Sequence, residues 1–235
     1  MDVPELSLSP VCRIWLLRAA SVAVILVGPL VLGIVAFRLA DPPTPVRVAE
    51  KLFGRKTGGE WVPLVNISRD LPVAVIASED GRFCDHWGVD WPAVKDAVLE
   101  KRSLSGLRGA STVPMQLAKN LFLWSQRDYL RKALEMPLAY LLTALWPKKV
   151  VIESYLNIAP WGPGIFGAEA ASRYYFNKGA DALTRKEAIL LAIALPSPIL
   201  RNPAKPTSKM LRIAKVIDDR MRGLAPRYSC VLPES

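Results

Sequence analysis

Histidine is almost missing from this chain: His86 is the only one in 235 residues, and cysteine is held to Cys12, Cys84 and Cys230. A zinc hydrolase needs several ligands at set spacing, and a Ser-His-Asp triad would have to use this one ring, so both classes are disfavoured. The cysteines have neither metal-ligand spacing nor the density of a disulfide scaffold. A Cys84–Cys230 bridge is open to the sequence in an oxidising compartment, but two unpaired thiols are the expected state, and Cys12 is not expected to meet either. No Ser-x-x-Lys occurs, which leaves Lys56-Thr57-Gly58 without the partner a transpeptidase needs. Asn66-Ile67-Ser68 is a weak glycosylation match. Internal repeats and low-complexity segments are absent, and alternating strand patterns are scarce. Acidic side chains are in deficit, 21 against 31 Lys and Arg, for a net charge of +10. That surplus asks for an anionic partner. Nucleic acid is excluded, because there is no helix-turn-helix, no aromatic ribonucleoprotein strand and no basic run with interleaved aromatics. Anionic lipid headgroups and phosphorylated substrates remain.

What the chain does have is length for one domain and a tail, with 51% apolar residues to fill a core. Residues 1–18 read as an N-terminal segment and 19–37 as a transmembrane helix. Residues 38–58 read as a juxtamembrane linker, 59–224 as the catalytic domain and 225–235 as a C-terminal tail. Ala19 to Phe37 is uncharged, flanked by Arg18 and Arg38, and long enough at helical rise to cross the hydrocarbon layer. A cleaved signal peptide would have a shorter apolar run and a small-residue cleavage site. Charge leaves the orientation open, since Arg38, Arg47, Lys51, Arg55 and Lys56 follow the span but long domains translocate regardless.

Past the linker the pattern is helical. Asp90-Trp91-Pro92 starts one helix that runs to about Glu100. A long helix from about Asp128 places Leu130, Leu134, Leu138, Leu141, Leu142 and Leu145 on a broad apolar face, bends at Pro137 and ends near Trp146-Pro147. Further helices are predicted over about 148–157, 165–176 and 208–224. Thr184 and Glu187 form a capping box before Ala188 to Leu195. Pro160 to Gly164 reads as turn.

Two separated glutamates, Glu79 and Glu135, bracket fixed cations, Lys119, Arg127, Arg131 and Lys132. If a sugar donor is linked through pyrophosphate, its leaving group is already a good anion. It needs positive charge more than a protonating acid, so one base and several cations suffice. Each residue also has a plain structural reading: Glu135 lies one turn past Arg131 and suits an i,i+4 ion pair, and His86 suits fixing a loop rather than moving protons.

Glu79-Asp80-x-x-Phe83-x-x-His86-x-Gly88, Gly109-Ala110-Ser111-Thr112 with Gln116, Lys119 and Asn120, and Arg131-Lys132-x-x-Glu135 resemble three motifs of one family. It is the glycosyltransferase domain of penicillin-binding proteins, and more closely its free-standing form, the monofunctional biosynthetic peptidoglycan glycosyltransferase (family 51). A further pattern, Lys149, Ile152, Glu153, Tyr155, Leu156 and Asn157, agrees, and the resemblance covers most of Trp61 to Asn202. It implies a mainly α, lysozyme-like, two-lobed helical domain behind one N-terminal transmembrane helix. The implied reaction is polymerisation of lipid II into β-1,4-linked glycan, by inverting displacement with release of undecaprenyl pyrophosphate. In that reading Glu79 is the base that deprotonates the acceptor hydroxyl, and Glu135 orients the cations, positions the donor sugar or helps hold a divalent ion. Lys119 and Arg127, with Arg131 and Lys132, clamp the pyrophosphate. Asp80, Phe83, His86, Ser111, Thr112, Gln116 and Asn120 complete the substrate site. No dedicated metal ligand set is implied and no cofactor is obligatory, though Mg or Mn is compatible. The implied setting is the bacterial inner membrane, single-pass, with residues 1–18 cytoplasmic and the catalytic domain periplasmic. Its partners there are lipid II, the growing lipid-linked strand, the membrane, and cell-wall synthesis or division proteins. Val113-Pro114-Met115 departs from the usual Ile, Thr or Ser, and Gln, which puts contacts around Met115 in question and motivates a catalytically silent scaffold as one alternative. A lytic muramidase of similar fold is the other; it would not need Lys119 and Arg127.

Overall fold

The computed structural model describes residues 60–99, 111–124, 126, 128–223 and 228–231, with scattered positions between 12 and 35. The linker 38–58, Gly109, Ala110 and Arg127 lie outside the described residues, as does most of the candidate span 19–37. Among the described residues no helix is long and apolar enough to cross a membrane. The chain divides into two units, Met1–Asp41 and Pro42–Ser235. In the first, the described positions are helical, and the Arg18 guanidinium sits over the Trp15 ring.

The second unit is mainly helical. Its helices are α1 Asp70–Glu79, α2 Trp91–Leu99, α3 Val113–Phe122, α4 Tyr129–Leu145, α5 Lys148–Ile158, α6 Ala168–Phe176, α7 Arg185–Ala194 and α8 Ser208–Gly223. Short 3-10 turns cover Leu64–Asn66 and Ala180–Ala182. One antiparallel ribbon pairs β1, Pro160–Gly162, with β2, Ile165–Phe166.

Helix α1 is the centre of the unit because its run from Leu71 to Ala77 is apolar on every side and buried throughout. It packs on α7, α8 and α5, while α3 packs on α4 and α5. Two helix groups therefore meet where α1 touches α5. The predicted capping box of α7 is present: Thr184 accepts from the Glu187 backbone and Glu187 reaches back to the Thr184 N–H. Residues Ala188 to Ala194 behind it are buried, as their unbroken apolar run requires.

Three expectations change. The helix predicted from Ile165 begins only at Ala168, because Gly167 holds φ +85, where a Cβ would come within 2.8 Å of the Asn157 carbonyl oxygen. That conformation belongs to glycine, which ends the ribbon and stands as the N-cap of the helix. On the broad apolar face of α4, Leu138 and Leu142 are buried and Leu141 and Leu145 half-buried, while Leu130 and Leu134 are 66% and 38% exposed. In that first half Arg131 and Glu135 occupy the interior instead. The thiols expected to be unpaired form a disulfide, Cys84–Cys230, with Cα atoms 5.8 Å apart. It works because Tyr228 and Val231 bury themselves beside it, so this part of the tail is packed against the unit.

The bridge closes a loop across a sequence separation of 146 residues. The double substitution Cys84→Ser, Cys230→Ser is expected to lower unfolding free energy by about 2 to 4 kcal/mol, read by denaturant titration.

Candidate active site

Glu79 is the last residue of α1, and the chain leaves the helix at Asp80, whose N–H still bonds the Ile76 carbonyl. Asp80 is buried. One of its oxygens accepts from the Val113 backbone N–H at 2.9 Å, at the first turn of α3, and the other meets His86 Nε2 at 2.8 Å. A carboxylate at a helix N-terminus satisfies an orphan donor and complements the helix dipole. His86 Nδ1 accepts from the Gly88 N–H at 3.2 Å, so its proton is on Nε2, facing Asp80. The ring ties the loop together, as its plain structural reading holds.

Four further contacts hold the same loop. Lys148, at the start of α5, donates to the Phe83 and His86 carbonyls and lies 4.5 Å over the Phe83 ring. Burial pulls its ammonium down to a pKa of about 8. Gly88, at φ +95, presses against α4 so closely that a Cβ would meet the Ala139 backbone at 2.6 Å. Thr112 caps α3, accepting from the Met115 N–H while its hydroxyl donates to the Gly88 carbonyl. Arg82 grips Asp90 with two hydrogen bonds of 2.9 and 2.6 Å.

Glu79 is half-buried at this junction. Gln116 Nε2 donates to its Oε2 at 3.0 Å and the Ser78 hydroxyl reaches Oε1 at 3.4 Å. Burial raises its pKa above the ordinary carboxylate value, with Asp80 adding to the rise, while the bonds from Gln116 and Ser78 and the Arg201 charge oppose it. Behind Gln116, the Tyr155 hydroxyl donates to Oε1 of the same amide at 2.8 Å.

A second carboxylate cluster forms on α4. Glu135 is 3% exposed and Arg131 8%. One Glu135 oxygen takes Arg131, and the other takes Lys132 Nζ at 2.7 Å. Lys132 also donates to the Ser111 hydroxyl at 2.6 Å, and Arg131 Nε to the Gln126 carbonyl at 2.8 Å. The segment Ser111 to Gln116 thus touches both glutamate clusters, which places them within roughly 12 Å of backbone path. Lys119 and Asn120 stand three and four residues past Gln116, on the same half-buried face of α3.

The structure therefore gathers Glu79, Asp80, His86 and Gln116 in one cluster and Ser111, Arg131, Lys132 and Glu135 in another, with Lys119 and Asn120 on the helix face that serves both. Phe83 and Thr112 are buried and contact protein. Met115 packs with Val89 and Ala139 in the core, so the departure at 113–115 changes interior packing rather than the open face of α3. Sequence reasoning missed three groups at the site. Lys148 was passed over for its exposed neighbour Lys149, Tyr155 was read only as part of a pattern, and Arg201 stands in no pattern. Both oxygens of Glu135 take cationic donors, and no three His, Cys, Asp or Glu side chains that could hold a metal ion cluster among the described residues.

Residues 47–222 match a family described as transglycosylase. A biosynthetic peptidoglycan transglycosylase of Brucella suis biovar 1 is 48% identical over 191 residues, 81% of this chain and 85% of the relative. One from Rhodospirillum centenum is 46% identical, covering 92% of this chain and 95% of the relative. One from Agrobacterium fabrum is 42% identical, covering 89% and 93%.

Asp80→Ala strips the acceptor from a buried backbone N–H and from His86. The expected loss is about 2 to 4 kcal/mol of unfolding free energy, measured by urea denaturation.

Proposed function

This chain belongs to the transglycosylase family, and from that premise we propose that it is a glycosyltransferase that polymerises peptidoglycan strands from a lipid-linked pyrophosphate donor, lipid II. The observation that carries the proposal is the pairing at α1 and α3. A carboxylate with a pKa raised by burial sits beside a helix face bearing Lys119, with Lys132 on the adjoining cluster.

Glu79 takes the proton from the acceptor sugar hydroxyl, at the fourth position of N-acetylglucosamine, as that oxygen attacks the anomeric carbon of the donor. The bond from that carbon to the pyrophosphate oxygen breaks on the opposite face, inverting an α-linked donor to a β-1,4-linked product. Lys119, Arg127 and Lys132 receive the departing undecaprenyl pyrophosphate charge, which they stabilise most as it develops. Glu135 holds Arg131 and Lys132 in place. No acid is required, because pyrophosphate leaves as a stable anion.

The fold we propose is lysozyme-like, its two helix groups forming two lobes about a cleft. Residues 19–37 anchor the enzyme in the bacterial inner membrane, with the catalytic domain in the periplasm. The apolar run supports the anchor, and the Cys84–Cys230 disulfide supports an oxidising compartment. Tethering keeps the enzyme where donor and growing strand lie and raises their effective concentration. Cell-wall synthesis or division proteins are the partners such a location offers.

Incubating the purified chain with lipid II, and separately with finished glycan strands, tests the reading: elongation without cleavage is expected, and strand cleavage would overturn it. Glu79→Gln is expected to abolish elongation while donor binding persists, and Lys119→Ala to weaken donor use. Because Glu79 must be ionised to act and its pKa lies above the ordinary carboxylate value, kcat/KM is expected to rise with pH through a midpoint above 4.5. A pH profile flat down to 4 would refute the base assignment.

A further inference from the structure

Tyr155 is 1% exposed on α5, with its hydroxyl pointing at the back of Gln116. Burial and the nearby charges of Glu79 and Asp80 hold its phenol well above the ordinary tyrosine value, so the hydroxyl keeps its proton, and a reversed amide would take away the acceptor that this buried O–H uses. A glutamine amide has two unlike ends, an accepting oxygen and a donating nitrogen. Tyr155 occupies the oxygen at 2.8 Å, which leaves the nitrogen to face Glu79 at 3.0 Å. Turned over, the same amide would present its oxygen to Glu79, repelling the carboxylate and accepting only from the protonated acid.

The other polar groups around Glu79 do not select between those two orientations. Asp80 is engaged with Val113 and His86. Arg201 favours the ionised form from a distance but is tied to the Ile193 carbonyl at 2.6 Å. Ser78 is a long contact, and from α8 Arg220 reaches the Ala77 carbonyl at 3.4 Å. Among the described residues, the hydroxyl of Tyr155 is the group that bonds the amide oxygen of Gln116.

We propose that Tyr155 is a positioning residue for the base: its hydroxyl locks the Gln116 amide in the one orientation that supports ionised Glu79, and so sets the lower pH limit of the reaction. The inference rests on Glu79 being the base, but its first readout does not. Glu79 ionisation is followed by infrared spectroscopy of the full chain in detergent, with the Glu79→Gln difference spectrum identifying the band. The acid limb of kcat/KM with lipid II is recorded in parallel.

In Tyr155→Phe the Glu79 midpoint is expected to rise by about one pH unit, and the acid limb to follow. The rate below the midpoint then falls by up to about tenfold while the plateau and KM hold. Gln116→Leu removes the donor itself and is expected to raise the midpoint at least as far. In the Gln116→Leu background, Tyr155→Phe is expected to add nothing, the non-additivity of two residues acting through one contact. General loosening of the core would lower the plateau and the melting temperature in both backgrounds and leave the midpoint in place.

An unmoved Glu79 midpoint in folded Tyr155→Phe overturns the proposal, as does a further shift of equal size in the Gln116→Leu background. If Tyr155→Phe fails to fold, an unmoved midpoint in Gln116→Leu overturns it alone. A midpoint that moves without the acid limb following upholds the lock and refutes instead the assignment of Glu79 as base.

Discussion

One buried carboxylate organises this protein. Asp80 stands where α1 ends, and by accepting from the first turn of α3 and from His86 it fixes two helices and a loop around one point. Without that anion, the N-terminus of α3 would face the interior with an unsatisfied donor, and the chain after Glu79 would have no fixed course. Every other restraint on the loop, from Lys148, Gly88 and the disulfide, acts on a course that Asp80 has already chosen. Glu79 inherits its orientation from this arrangement, because its neighbour is buried and held by two hydrogen bonds and the helix before it is buried from Leu71 to Ala77.

The second constraint is an inversion in α4. Its first half turns Arg131 and Glu135 inward and leaves Leu130 and Leu134 in the open, the reverse of what burial of apolar area favours. Burying a charge pair costs more in desolvation than its attraction returns unless every oxygen and proton is matched. Here Glu135 has a donor on each oxygen, and Arg131 also reaches a backbone carbonyl. Stability alone does not select such an arrangement. The proposed reaction, which needs cations held in fixed places for an anionic leaving group, does.

Much of the helical frame was legible in the residues. Asp90, Asp128 and the Thr184/Glu187 box marked helix starts through side chains that satisfy orphan backbone donors, and that chemistry is local. Trp146-Pro147 marked a helix end for an equally local reason. The start of α6 was missed because Gly167 takes a positive φ that only its packing against Asn157 demands. The partnership of Cys84 and Cys230 was missed because it depends on where Tyr228 and Val231 bury themselves, far along the chain. At the site, clustered charges and family motifs exposed Glu79, Glu135 and the cations. Lys148, Tyr155 and Arg201 act across distances in sequence that no spacing encodes.

By itself the sequence determined a mainly helical domain of the transglycosylase family and the apolar run before it, and it singled out the two glutamates and their neighbouring cations as candidates, since each follows from residue type and short-range spacing. Tertiary structure alone decided which side of α4 faces inward, that Met115 is core, that the tail is bonded to the loop after Glu79, and which end of the Gln116 amide meets that carboxylate. Those outcomes depend on which groups lose their water together, and burial is a property of the whole packed chain rather than of any stretch of it.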